Sequence, residues 1–176
     1  MSKEPLPRTL DVRRVAARGA TVRGVLQPVD LPRFRALLAA DEGGIEVELS
    51  LSRDEENRYL AHLVVRAEVT VTCQRCLEPM PIVLSGDTTL GVVWREAQAA
   101  QLPRHLDPLV VEGEDCDLWD LVEEELILSL PSFSYHDTEQ CRKILAGYAA
   151  PPPEEEKTGA DSPHPFEVLG QLKPRD

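Results

Sequence analysis

Apolar and polar residues alternate over three consecutive stretches of the chain. Across residues 45–51, Ile45, Val47, Leu49 and Leu51 share one parity, and Glu46, Glu48 and Ser50 take the other. Across residues 59–73 the shared parity belongs to Tyr59, Ala61, Leu63, Val65, Ala67, Val69, Val71 and Cys73, opposite His62, Arg66, Glu68, Thr70 and Thr72. Across residues 82–94, Ile82, Leu84, Leu90, Val92 and Trp94 line up again. A period of two places successive side chains on opposite faces of a strand. These segments therefore predict half-buried strands of an antiparallel meander with one face in water. Asp54-Glu55-Glu56-Asn57 reads as the first, polar turn. The stretch from Cys73 to Pro81 makes the second connection. Pro79 and Pro81 cannot donate to a central ladder, which predicts an irregular turn.

Two helices are predicted to flank the sheet. One covers Leu31 to Leu38, with Asp30 as N-cap and Pro32 in the first turn. The other runs from Leu118 to Leu130, capped by Asp117 and stopped by Pro131. Its apolar stripe is Leu118, Leu121, Val122, Leu126 and Leu130. Within it, the run Glu123-Glu124-Glu125 is expected on the water-facing side. Leu109-Val110-Val111 adds a short strand. The fold class is α+β: an antiparallel sheet of about four to six strands, with the option of a partial barrel, and two main helices.

Residues 1–148 form one domain on this reading, with a basic N-terminal segment. Residues 149–163, rich in proline and glutamate, are expected to be a disordered linker. Residues 164–176 turn apolar again. Phe166, Leu169 and Leu172 are spaced to share a face of a short helix, too short to stand alone in water. This flexible C-terminal tail ends in a docking segment, either on its own domain or on a partner.

Length and composition agree with a globular domain: 176 residues, 42% of them hydrophobic. No apolar run approaches the ~20 residues needed to cross a membrane, and the N-terminus carries no apolar leader. The expected location is the cytoplasm, without a membrane partner. There, four cysteines are ligands or buried thiols rather than disulfides. The net charge of -12 is uneven. Residues 1–35 carry eight basic and three acidic side chains, leaving -17 for the rest. Only the N-terminal part, with Arg13, Arg14, Arg18 and Arg23, would attract a polyanion such as RNA.

No phosphate-binding loop, dinucleotide fingerprint, serine-nucleophile elbow or zinc-protease motif occurs, and no acid, base and nucleophile fall together by spacing. The chain is therefore not expected to be an enzyme. Its most specific feature is Cys73-Gln74-Arg75-Cys76. Two-residue spacing on a strand-to-strand turn aims both sulfurs at one ion, as in a zinc knuckle. A redox dithiol would instead open a helix. The natural second half is His136 with Cys141, giving one nitrogen and three sulfurs around a structural zinc. The alternative is four reduced thiols without metal. Cys116, between Asp115 and Asp117, is a helix-entry residue and only a spare ligand.

Four segments in order resemble the bacterial YceD family, the large ribosomal RNA subunit accumulation proteins. They are Val71-Thr72-Cys73-Gln74-Arg75-Cys76-Leu77, Glu123 to Pro131, His136-Asp137 with Cys141, and Pro165-Phe166-Glu167-Val168-Leu169 with Leu172-Lys173. The resemblance implies a non-enzymatic factor for the synthesis, processing or stability of 23S ribosomal RNA. It also implies that Cys73, Cys76, His136 and Cys141 act as a set, to which Cys116 does not belong. His164 departs from the family, where asparagine is frequent before Pro-Phe. Such a factor, acidic as it is, would work through a large-subunit ribosomal protein or an assembly factor, whose basic charge speeds the encounter. Two alternatives are direct RNA binding through the N-terminal arginines, and a zinc-stabilised interaction adaptor unrelated to ribosomes.

Overall fold

The computed structural model describes residues 4–113 and 115–147, with side chains to residue 144. The expected linker and docking segment, including Phe166, Leu169 and Leu172, lie outside the described residues. The elements run β1 (Thr9–Asp11), α1 (Val12–Ala16), β2 (Thr21–Leu26), α2 (Pro32–Arg35), β3 (Gly43–Arg53), β4 (Tyr59–Thr72), β5 (Pro79–Val93), α3 (Glu96–Ala99), β6 (Asp107–Val110), β7 (Asp115–Asp117), α4 (Leu118–Ser129) and α5 (Glu139–Gly147).

The fold is α+β, as the periodicity predicts. The main sheet has the order β2-β3-β4-β5-β6, and β1 pairs with β7 in a separate ribbon. β2 through β5 are antiparallel, and β6 joins β5 in parallel. The sheet does not close into a barrel. The outer edge of β2 is covered instead by the N-terminal chain, where Val25 N–H donates to the Glu4 carbonyl (2.9 Å) and Leu6 N–H to the Val25 carbonyl (3.1 Å).

The buried parity is the predicted one. Ile45, Val47, Leu49 and Leu51 of β3 and the odd residues Ala61 to Val71 of β4 are all buried. A sheet with one apolar face needs a cover. α4 provides it with Leu118, Val122 and Leu126. Its Asp117 cap forms as predicted, accepting from the amides of Trp119 (3.0 Å) and Asp120 (3.2 Å). The helix lies so close to β5 that a methyl group at Gly86 would sit 2.4 Å from Glu125 Oε1.

Three local expectations change. The prolines after Cys73 do not break the pairing: Pro79 lies opposite Thr72 and Pro81 opposite Thr70. Cys73 N–H donates to the Glu78 carbonyl (2.9 Å), so at this end the even residues of β5 bond to β4. Pro79 and Pro81 face the other way. β6 covers β5 only from Leu90 to Val93, so the missing N–H groups fall on an open edge, where proline is tolerated.

The first predicted helix shrinks to the single turn α2. Asp30 does not cap it; its carboxylate accepts from Gln27 N–H (2.8 Å) within a preceding 3-10 turn. The third change explains what caps α2 instead. Glu123, expected on the wet face of α4, is buried. Its Oε1 accepts from Arg33 N–H (2.7 Å) and Phe34 N–H (3.1 Å), and its Oε2 from Arg33 Nε (2.8 Å). A carboxylate from α4 thus satisfies the open amides of α2, since Leu31 at the cap has no oxygen to offer.

No helix among the described residues is long and apolar enough to cross a membrane. Burial alone would raise the Glu123 pKa, but Arg33 and the two amides outweigh it and hold the carboxyl below the usual glutamate range. A depressed folded-state pKa gives stability that is present above the unfolded-state value and lost as pH falls through the folded one. Glu123→Ala is expected to cost roughly 2–3 kcal/mol in urea unfolding at neutral pH, because it strands two backbone donors. The gap between wild type and variant should narrow as pH is lowered past the ordinary glutamate range. A gap unchanged by acid would assign the loss to packing.

Candidate metal centre

The β4–β5 register delivers the first half of the site. After Thr72 the chain returns through Cys73-Gln74-Arg75-Cys76-Leu77-Glu78. Leu77 N–H donates to the Cys73 carbonyl (2.9 Å), and Leu77 adopts φ 62°, in the left-handed region that bulky residues rarely enter. Cys73 is fully buried at the end of the apolar stripe, and Cys76 is half-buried.

The second half comes from the chain after α4. Gln74 N–H donates to the Ser134 carbonyl (2.9 Å), tying this segment to the turn. His136 Nε2 lies 3.2 Å from the Pro79 carbonyl, to which it donates as Nε2–H. That tautomer leaves a lone pair on Nδ1, which lies 3.3 Å from Cys76 Sγ. The open edge at Pro79, harmless to the sheet, is thus the acceptor that orients the imidazole. Thr138 Oγ1 accepts from Cys141 N–H (3.3 Å), in the manner of an N-cap, and sets Cys141 in the first turn of α5.

Cys73 Sγ and Cys141 Sγ are 3.7 Å apart. A disulfide requires ~2.05 Å, and all four cysteines are free. The ligand atoms of Cys73, Cys76, His136 and Cys141 all lie within 4.8 Å of one another. Four tetrahedral donors with Zn–S of ~2.3 Å place sulfurs about 3.8 Å apart, close to the separation seen here.

The protonation chemistry points the same way. Burial would raise the Cys73 pKa, but the backbone amides of Cys76, His136 and Arg75, together with the Cys76 thiol, bring it down to about 5. Cys141 moves in the opposite direction, raised first by burial and then by Cys73 and Cys76. Cys73 and Cys141 are thus pushed in opposite directions, and a divalent cation between them would favour the thiolate of both. Three thiolates and one imidazole leave no open position for a substrate, so the geometry suits a structural centre.

The remaining candidate residues stay apart from this cluster. Cys116 lies in β7 opposite Leu10, buried, its thiol pushed up to about 11 by burial and then by Asp117 and Asp120. Arg13 lies over the Trp94 ring at 4.2 Å. Arg23 is held by both oxygens of Glu48 on the wet face of the sheet (2.9 and 2.8 Å). Arg14 and Arg18, on and just after α1, are exposed. Spacing did not single out the Pro79 carbonyl, nor Arg75, whose guanidinium lies 4.8 Å from the centre of the Tyr135 ring. The alternation Phe133-Ser134-Tyr135 beside His136 was the available signal, since it marks an extended segment with two rings on one side.

Comparison with known proteins gives a consistent assignment. The family model described as large ribosomal RNA subunit accumulation protein YceD matches residues 61–173, which include all four cluster residues. The protein of that name from Haemophilus influenzae is 32% identical over 174 residues, covering 98% of this chain and 99% of the relative. No solved structure matches. With a family match over more than half its length and a full-length relative, the chain belongs to the YceD family.

Proposed function

We propose that this protein is a non-enzymatic cytoplasmic factor that supports the accumulation of 23S ribosomal RNA in large-subunit biogenesis, acting through a basic protein partner. Family membership carries the first part of this reading. The structural part is a zinc ion held by Cys73, Cys76, His136 and Cys141, supported by the convergence of three sulfurs and one nitrogen. Zinc would clamp the β4–β5 turn to the start of α5 and so complete a single domain over residues 1–148. The docking segment, through Phe166, Leu169 and Leu172, meets either a partner or its own domain.

Charge favours a protein partner over direct RNA contact. Arg8, Arg23, Arg33 and Arg35 pair with Asp117, Glu48, Glu123 and Asp41. Half of the basic side chains of residues 1–35 are thus committed within the chain, and the 31 acids of the sequence outnumber its 19 bases. A basic ribosomal protein or assembly factor fits that surface, and a polyanion would meet repulsion.

Protein purified without chelator should contain close to one zinc per chain by elemental analysis. Cys141→Ser or His136→Ala should lose it, with a fall in Tm of about 5–10 °C, the size expected for losing roughly 2–3 kcal/mol in a domain this long. Metal-free wild type with an unchanged Tm would reject the clamp. For the partner, affinity purification from cells at moderate salt should recover a basic large-subunit protein or assembly factor, and the recovery should survive nuclease. Recovery of ribosomal RNA alone, lost steeply with ionic strength and on neutralising Arg14 and Arg18, would replace this reading with direct RNA binding.

A further inference from the structure

Beside the cluster, on the solvent side, an aromatic surface lies open. Phe133 and Tyr135 alternate on an extended stretch and hold their rings parallel, 6° between planes with centres 6.3 Å apart. Phe133 is 71% exposed and Tyr135 44%. Ser134, pointing the opposite way, is buried and tied by its carbonyl to Gln74, so the rings are displayed by an anchored backbone rather than by a loose loop. Arg75 stacks on Tyr135, and its Nη1 is buried without a hydrogen-bond partner among the described residues. Leu77, two residues on, is 74% exposed. Aromatic rings, an aliphatic side chain and a guanidinium stacked beside them describe a receptor for a short apolar peptide carrying one carboxylate.

We propose that this surface is the dock for the chain's own C-terminal segment, with Phe166 packing on Phe133 and Tyr135, and the Glu167 carboxylate accepting from Arg75. Three observations select this occupant. The segment combines Phe166, Val168, Leu169 and Leu172 with Glu167 directly after the aromatic residue, which matches the receptor in kind and charge. The last described helix starts at the cluster, with Cys141 in its first turn, and ends at Gly147. That end is about 9 Å along the helix from Cys141. Residues 148–164 then lead to the segment, and 17 residues can reach up to roughly 55 Å, more than enough to return to the patch. Tethering over so short a span holds the segment at a high effective concentration near the surface. Finally, the family match runs to residue 173, through the linker and the segment, so the family pattern includes this tail.

The inference rests on the shape of the turn and the displayed rings, not on zinc or on ribosomal RNA. Zinc content measured alongside separates its failure from that of the function proposed above. The test is photo-crosslinking of full-length purified protein carrying benzoylphenylalanine at position 166, with crosslinked peptides identified by mass spectrometry. The expected product is an intramolecular crosslink to the peptides containing Phe133–Tyr135 or Arg75–Leu77. It should be lost in Phe133→Ser, a substitution at an exposed side chain that leaves zinc content unchanged. Arg75→Glu should weaken it severalfold, and the double variant Arg75→Glu with Glu167→Arg should restore it. Crosslinks to another face of the chain, crosslinks only between two copies, or a yield indifferent to Phe133→Ser would each overturn the proposal.

Discussion

The pairing register of β4 with β5 is the constraint on which the rest of this molecule depends. It sets Thr72 opposite Pro79 and so leaves Cys73 through Glu78 as the connecting turn. The same register sends Val71 and Cys73 inward and Thr72 outward. A slip of one residue would exchange the faces of β4, expose Leu63, Val65 and Val69, and carry Cys73 away from Cys141. Fourteen facing pairs along β4, from Tyr59 to Thr72, hold that slip off. The position of two sulfurs is thus fixed by apolar contacts far from them.

The second organising interaction is the burial of Glu123. A carboxylate taken out of water is costly unless its lone pairs are filled. Here two backbone amides and one guanidinium fill them. The arrangement fixes α2 against α4, and α4 in turn ends at Ser129, two residues before Pro131, and leads into the segment that carries His136. The packing of the sheet and the capping of α2 therefore converge on the same corner. β4 brings the turn to it from the sheet side, and α4 brings the imidazole from the helix side.

Charge is used locally in this protein more than the linear distribution suggests. The N-terminal excess of arginine looks like a polyanion-binding feature along the sequence. In the fold, Arg8 meets Asp117 across the β1–β7 ribbon and Arg23 meets Glu48 across β2–β3. Exposed pairs of this kind contribute little stability. Their effect is to neutralise these arginines where they stand, and the acidic balance of the chain, 31 acids against 19 bases, sets the remaining field.

The sequence by itself determined the three long strands β3, β4 and β5, their buried faces and the helix over the sheet, and it named Cys73, Cys76, His136 and Cys141, which the fold brings together, but it did not show β1, β2 or β7. The strands and the helix rest on period-two and period-3.6 burial, and each half of the cluster on short ligand spacing, which are local properties of the chain. The YceD resemblance was legible for the same reason, because its motifs are contiguous. The tertiary structure alone decided the parallel addition of β6, the tolerance of Pro79 and Pro81, the burial of Glu123 and the hydrogen bond that orients His136. Each of these depends on a partner distant along the chain: an uncovered edge, a short helix without a cap, a carbonyl on a facing strand. Alternation reports which side of a strand is wet. It does not report which unsatisfied amide lies across the core, and that is why a glutamate in an acidic run became the anchor of the helix pair.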